Sequence, residues 1–467
     1  MTFLYKPDDG VAADFIPFYH DGRYHLFYLK DYRDEAGHGL GTPWFHLVTD
    51  DFVHFEDWGE ALPRGAKDSQ DLWVFTGSVY EKDGTFYIFY TGHNGLFNGT
   101  GKPIQAVMRA TSPDLRTWTK DESFLFFAPQ GYEPDDWRDP FIYWNEDTQE
   151  YGMLLAARKP TGPSRNRGCV ALATSKDLDS WDVRAPFWSP DLYFTHECPD
   201  LFQIGDWWYL VYSTFSERSV THYRMSRSIN GPWIAPPNDT FDSRAFYAAK
   251  TASDGDKRFI FGWLPTRVGE KDDGNWQWGG HLVTHEILQE SDGTLSVRPP
   301  ESVLVPFSHS LPLTPRKILG DWKIGDNKFS STSTSRFSAL ALGDLPQTCL
   351  IETEISLSPG TINAGLFFRA DSTLDHYYQL RIEPGNHRIV FDRWPRPGDQ
   401  PFVLERPLEA GDTARLKIIV DETCIVAYVN DQIALSCRMY EHRAGEWGLF
   451  VTEGAALFAG VALKTQS

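Results

Sequence analysis

Asp83-Gly84-Thr85-Phe86-Tyr87-Ile88-Phe89-Tyr90-Thr91-Gly92 reads as a tight turn followed by a short aromatic and β-branched run. The Asp-Gly pair supplies the turn, and the run has the length and composition of a buried strand. The same pattern recurs at Asp21–Tyr28, Glu150–Arg158, Gly205–Ser213 and Asp254–Trp263. A second element interleaves with it at Thr49–Phe55, Thr111–Trp118 and Thr174–Trp181, and a degenerate copy ends at Trp233. Asp51, Asp114 and Asp177, at matching positions of this element, recur every 63 residues. Self-similarity at this period, with several short strands per unit and scarcely any helical periodicity, is the signature of a β-propeller. Five copies imply five blades.

The pattern stops near Pro300, and a Pro-rich stretch from Arg298 to Pro315 leads into a different composition. Beyond Asp321 short alternating segments follow one another, among them Cys349–Leu357, Ala364–Arg369, Tyr377–Ile382, Ala414–Val420, Ile425–Val429 and Gly448–Val451. Short strands separated by turn residues in this way imply a β-sandwich. The expected organisation is therefore all-β: a five-bladed propeller carrying the catalytic residues over 1–305, a linker over 306–320 and a sandwich over 321–467. The sandwich is expected to brace the propeller more than to bind ligand.

A chain of 467 residues with a formal net charge of -20 repels phosphate backbones, so nucleic acid and anionic membrane surfaces are excluded as partners. The five cysteines (Cys169, Cys198, Cys349, Cys424, Cys437) are too scattered for a disulfide framework or a metal knuckle. The first ten residues lack the apolar core of a leader, and no long apolar run follows. A soluble cytoplasmic protein without metal or cofactor is expected. Aromatics make up 15% of the chain, which suits both a β core and a site where ring faces stack on a sugar.

Three acids stand shortly upstream of a strand copy: Asp14 by seven residues, Asp139 by eleven and Glu197 by eight. In a propeller the innermost strands converge on one axis, so equivalent positions in different blades meet in space. Clustered carboxylates repel, so one tends to hold a proton while another stays ionised. Such a pair is the equipment for breaking a glycosidic bond. Arg138, beside Asp139, is placed to orient a carboxylate and hold it ionised.

The segments Trp137-Arg138-Asp139-Pro140 and His196-Glu197-Cys198-Pro199-Asp200 resemble signatures of glycoside hydrolase family 32, the invertases and fructan hydrolases. The resemblance extends to Trp73 with Phe75-Thr76-Gly77-Ser78, to Phe89–Gly92, to Ala248–Trp263, to Trp278-Gly279 and to Gly448–Val451. It implies that Asp14 is a nucleophile, Glu197 a general acid/base and Asp139 a stabiliser holding ring hydroxyls. The implied reaction is cleavage of a β-fructofuranoside, such as sucrose or a short fructan, with retention through a covalent glycosyl-aspartate. The first motif departs from the pattern: Ala13 and Ile16 stand where the family carries sugar-contacting Asn. That segment is equally similar to family 43. An inverting arabinofuranosidase or xylosidase, or a carbohydrate-binding relative without turnover, are therefore the alternatives. Arg138, Trp73, Phe75, Ser78, His46 and Trp276 are the candidates for contact with the substrate, a small carbohydrate. Trp44 and Trp278 are further candidates for lining the funnel, and His196, beside a site segment, is a further candidate for substrate contact.

Overall fold

A computed structural model of the chain describes residues 4–396, 404–408 and 413–466. Each predicted turn-and-strand copy becomes the second strand of an antiparallel run. The first run comprises β1 (Val11–His20), β2 (Arg23–Asp31), β3 (Trp44–Thr49) and β4 (Glu56–Leu62). The second is β5 (Trp73–Lys82), β6 (Thr85–His93), β7 (Gln105–Ser112) and β8 (Thr119–Phe126). The third is β9 (Trp137–Asn145), β10 (Glu150–Arg158), β11 (Gly168–Ser175) and β12 (Asp182–Val183). The fourth is β13 (Glu197–Ile204), β14 (Trp207–Thr214) and β15 (Val220–Ser226). The fifth is β16 (Tyr247–Ser253), β17 (Arg258–Arg267), β18 (Trp276–Gln289) and β19 (Leu295–Arg298).

The first strand of each run touches the first strand of the next: β1 with β5, β5 with β9, β9 with β13, and β13 with β16. The ring closes where β16 meets β1 and where Ala12 of β1 pairs with Gly280 of β18. Apolar faces fill the gaps between neighbours. Phe27, Trp44, Ile88 and Tyr90 pack between the first two runs. Phe89, Trp137 and Met153 fill the next gap, and Leu154, Val170 and Leu210 the one after it. Each such side chain contributes about 1.5–3 kcal/mol on burial. Side-chain packing between neighbouring runs thus holds much of the ring together.

The interleaved second element is the turn after the third strand. In each copy the repeated aspartate accepts backbone N–H groups two and three residues ahead: Asp51 from Val53 and His54, Asp114 from Arg116 and Thr117, Asp177 from Asp179 and Ser180. The 63-residue repeat of Asp is thus a turn requirement.

The C-terminal strands form a β-sandwich joined into one connected sheet. Its last strand, Glu446–Thr465, pairs with Asn363–Ala370 along its first part and with Thr348–Leu357 along its second. Between the two parts, Gly454 has a positive φ that lets the strand turn. The stretch expected as a linker is not a free tether. His309–Leu311 pairs with residues 463–465, and Arg316–Leu319 pairs with residues 339–341. Pro306, Pro312 and Pro315 stand outside these short strands, where a missing N–H is harmless.

Buried polar contacts tie the sandwich to the fifth run. Asp272, fully buried, accepts from Tyr378 Oη at 2.6 Å, Arg393 at 2.9 Å and the Tyr440 N–H at 2.9 Å. Arg438 donates to the carbonyls of Leu264 (2.7 Å) and Pro265 (2.6 Å). Asp242 accepts from the Ser436 N–H at 2.7 Å and is paired with His285 at 3.0 Å. The sandwich therefore braces the run that ends beside the site described next.

Candidate active site

All five first strands carry a bulge at the same height. The shifts fall between Ala13 and Ile16, Phe75 and Gly77, Arg138 and Phe141, Glu197 and Asp200, and Tyr247 and Lys250. Asp14, Asp139, Cys198 and Ala248 take left-handed backbone angles there, with φ of 43°, 58°, 51° and 50°. A non-glycine residue in that region costs free energy, and such outliers concentrate at functional sites. A bulge re-aims its side chains, and here it aims them at the axis of the ring.

The result is a cavity of about 530 Å³ lined by Asp14, Asp139 and Glu197 together. Asp14 accepts from Thr76 Oγ1 at 2.6 Å and from Trp263 Nε1 at 2.9 Å. Burial still outweighs these donors, and the charges of Asp139 and Glu197 add to it, so its carboxyl is pushed up to about 7. Asp139 accepts the Cys198 N–H at 2.9 Å, and its own N–H donates to Thr91 Oγ1 at 2.7 Å. Burial raises its carboxyl to about 6 against the pull of Arg138.

Both oxygens of Glu197 are engaged. Arg138 donates to Oε1 at 3.0 Å, and Tyr247 Oη meets Oε2. Arg138 also reaches Asp136 at 2.5 Å and stands 3.9 Å from Asp139. Burial opposes its charge, but the surrounding carboxylates outweigh that and hold it firmly protonated. A tyrosine hydroxyl can donate or accept, so Tyr247 can partner Glu197 in either protonation state.

Of the residues predicted from sequence, Asp14, Asp139, Glu197, Arg138, Phe75 and Trp276 line this cavity. Trp73 lies on an adjoining cavity of about 480 Å³, which shares Phe75 and Trp278 with the first. Ser78 and His46 are not on its wall. Ser78 Oγ accepts the Ile142 N–H at 3.1 Å and pins the second run to the third. His46 is buried on the outer side of its strand, stacked on Phe27 at 4.0 Å and bonded to the His25 ring at 3.0 Å. Trp44 is fully buried and donates to the Val74 carbonyl at 3.1 Å. His196 packs among Trp188, Tyr193 and Tyr212, away from the cavity.

Thr76, Tyr247 and Trp263 were not anticipated. The first two had a signal. Thr76 and Tyr247 each stand seven residues upstream of a repeat copy, at Asp83 and Asp254, as Asp14 does before Asp21. The repeat that singled out the acids marks these positions too.

A model of the glycosyl hydrolases family 32 N-terminal domain matches residues 7–299, and the family 32 C-terminal model matches residues 323–465. The sucrose-6-phosphate hydrolase of Escherichia coli is 25% identical over 464 residues, covering 94% of this chain and 89% of that protein. The levanbiose-producing levanase of Bacillus subtilis (strain 168) is 24% identical over 479 residues, covering 91% of this chain and 84% of that one. Among solved structures, fructan 1-exohydrolase IIa from Cichorium intybus superposes with a TM-score of 0.76 at 15% identity, over 100% of this chain and 97% of that one. Sucrose-6-phosphate hydrolase from Lactobacillus gasseri gives 0.75 at 18% identity, over 100% and 93%. With both of its domains matched, the chain belongs to glycosyl hydrolases family 32 and is a glycoside hydrolase.

Proposed function

We propose that this chain is a retaining β-fructofuranosidase in which each of the five antiparallel runs is one blade. The propeller ends near residue 305 and the sandwich begins near 321. Asp14 is the nucleophile, Glu197 the acid/base, and Asp139 holds ring hydroxyls of the fructosyl unit. The observation that carries the roles is the meeting of three carboxylates, from three separate first strands, on one cavity wall.

In the first step an Asp14 oxygen bonds to the anomeric carbon while the glycosidic C–O bond breaks. The Glu197 proton passes to the departing oxygen. In the second step water attacks the same carbon, gives a proton to Glu197 and releases Asp14. The two acids need opposite protonation states at the start, and mutual repulsion among three buried carboxyls favours such a split. Asp14 works as the ionised form. Tyr247 and Arg138 orient Glu197, and Phe75 and Trp276 supply apolar faces for the sugar. A substrate held by small sugar contacts, and a cytoplasmic site of action, complete the proposal.

The test resolves products by NMR during hydrolysis of sucrose and an aryl β-fructofuranoside. Retained configuration in the first-formed fructose, lost in both Asp14→Asn and Glu197→Gln, is expected. Inverted configuration would make Asp14 a base that activates water and would overturn the covalent step. Binding of fructosides without turnover would leave only a carbohydrate-binding protein.

A further inference from the structure

Three of the first strands meet behind the catalytic wall, and a lysine stands where they meet. Lys250, on β16, is 2% exposed. Its Nζ donates to the Pro199 carbonyl of β13 at 2.8 Å and lies 5.1 Å from the centroid of the Phe141 ring of β9. Neither Lys250 nor Pro199 lines the catalytic cavity, whereas Glu197, Cys198, Tyr247 and Ala248 beside them do.

The contact joins two bulges. That of β13 falls between Glu197 and Asp200, and that of β16 between Tyr247 and Lys250. The second grips the first at successive points: Tyr247 Oη meets Glu197 Oε2, Lys250 holds the Pro199 carbonyl, and the Thr251 N–H donates to Asp200. The Cys198 N–H, which donates to Asp139 at 2.9 Å, lies inside the gripped segment. A shift of that segment would displace both the Glu197 carboxyl and a donor to Asp139.

Charge points the same way. Of the two lysines buried among the described residues, Lys30 is paired with Asp9 at 2.6 Å. Lys250 has a carbonyl and an aromatic face as neighbours, and no carboxylate in ion-pair contact among the described residues. A buried ammonium is costly unless negative charge lies near it. Here that negative charge belongs to the site. The charged groups facing Asp139 are Arg138 on its own strand, Glu197 on β13, Asp14 on β1 and Lys250 on β16. Burial raises the Asp139 carboxyl, while Arg138, the Cys198 N–H and Lys250 pull against it. Arg138 is already shared among Asp136, Asp139 and Glu197, so one guanidinium serves three carboxyls. Lys250 supplies the second cation.

We propose that Lys250 is a positioning residue of the reaction: from behind the wall, without touching substrate, it clamps the bulge that carries Glu197 and serves as counter-charge to the Asp139 carboxylate. The proposal rests on the carboxylate roles of the β-fructofuranosidase reading and adds to them a group that no contact with the sugar would reveal.

Two measurements test it. The first is the pH profile of kcat and kcat/KM for sucrose in the unaltered protein, Lys250→Met, Lys250→Gln and Lys250→Arg. The carboxyls titrate as a coupled set, and loss of positive charge beside them favours their protonated forms. The acid limb of kcat/KM should therefore move to higher pH by about one unit in the Met and Gln variants, and the Arg variant should bring it back. On the plateau, Lys250→Met should lower kcat about tenfold with a smaller change in KM, the size of one lost hydrogen bond to the bulge. A limb that stays in place while activity falls would make Lys250 a packing residue and overturn the counter-charge; an unchanged plateau kcat would refute the clamp.

The second measurement is a cycle of melting midpoints at pH 8 with Asp139→Asn, Lys250→Met and the double variant. Each single change strands the other charge, so the double variant should melt about 1–3 °C above the sum of the two losses. Additive losses would overturn the pairing. Should Lys250→Met alone not fold, the double variant is compared with Asp139→Asn: a further loss under about 2 °C is expected, and a larger one refutes the pairing. Should the unaltered protein cleave neither sucrose nor an aryl β-fructofuranoside, the fructosidase reading fails, and the midpoints alone then uphold or overturn the charge pairing.

Discussion

Replacing Asp14 with Asn removes a carboxyl whose titration differs between the folded and unfolded chain, and the difference can be read as stability. In the folded protein burial pushes Asp14 up to about 7. In the unfolded chain an aspartate titrates near ~3.9. The folded pKa is the higher of the two, so the folded state holds the proton more tightly. The resulting stabilisation is fully present below about pH 4 and is lost as pH rises to about 7. A gap of about three pKa units corresponds to roughly 4 kcal/mol. For a chain of 467 residues, with an unfolding entropy of about 2.1 cal/mol/K per residue, that is a shift of about 4 °C in the melting midpoint.

Asn carries no such titration. The midpoint of Asp14→Asn minus that of the unaltered protein should therefore climb by up to about 4 °C between pH 4 and 8. Asn also turns an amide group toward a donor, either Thr76 or Trp263, but that penalty does not vary with pH and only displaces the whole curve. Calorimetric midpoints of both proteins across this pH range give the answer. A flat difference would mean that Asp14 is ionised in the folded protein throughout. The two donors would then have overcome burial, and the raised carboxyl would be refuted.

Three further outcomes follow from the same contacts. If Asp14 acts ionised, as proposed, kcat/KM should rise with pH through about 7, and Trp263→Phe, which removes the 2.9 Å donor to Asp14, should move that rise toward higher pH by up to about one unit; a shift toward lower pH would count against the assignment. Tyr247→Phe leaves Glu197 without its hydroxyl partner and should lower kcat about tenfold with a smaller change in KM, measured under saturating and limiting sucrose. Asp272→Ala strips three donors of their acceptor at the join with the sandwich and should lower the melting midpoint by about 3 °C, while the enzyme that remains folded keeps its kcat.

The meeting of the three acids was legible because a repeat converts sequence position into spatial position. Asp14, Asp139 and Glu197 could be brought together before any coordinates, since each precedes a strand copy by a similar distance. The same logic reaches Thr76 and Tyr247, whose residue types do not advertise catalysis. Proximity to a motif, by contrast, says nothing about which face of a strand a side chain takes. His46 and Ser78 lie near site segments, yet one stacks on Phe27 and the other receives the Ile142 N–H. Successive side chains alternate between faces, so a local bulge decides which of them reach the axis. The contacts of Asp272, Asp242 and Arg438 with the other domain span more than a hundred residues of sequence. No local pattern encodes such pairs.

The altered first motif can now be weighed on structural grounds. Ala13 and Ile16, which stand where the family pattern has Asn, are both buried in apolar packing; Ile16 joins the cluster between the first two runs, and Ala13 joins the core beneath the fifth. Neither points a polar group at the cavity. The donors that reach Asp14 come from elsewhere in the ring, Thr76 from the second run and Trp263 from the fifth. Its carboxylate is thus oriented by its neighbours in space, with no help from its neighbours in sequence, and the motif could change without displacing it. On the fructosidase reading proposed above, the change leaves no side-chain amide at these two positions to meet the sugar. Recognition then falls more heavily on other polar groups that line the cavity, Arg138, Gln105 and Gln277 among them. A neutral fructoside should consequently show its deficit in KM more than in kcat.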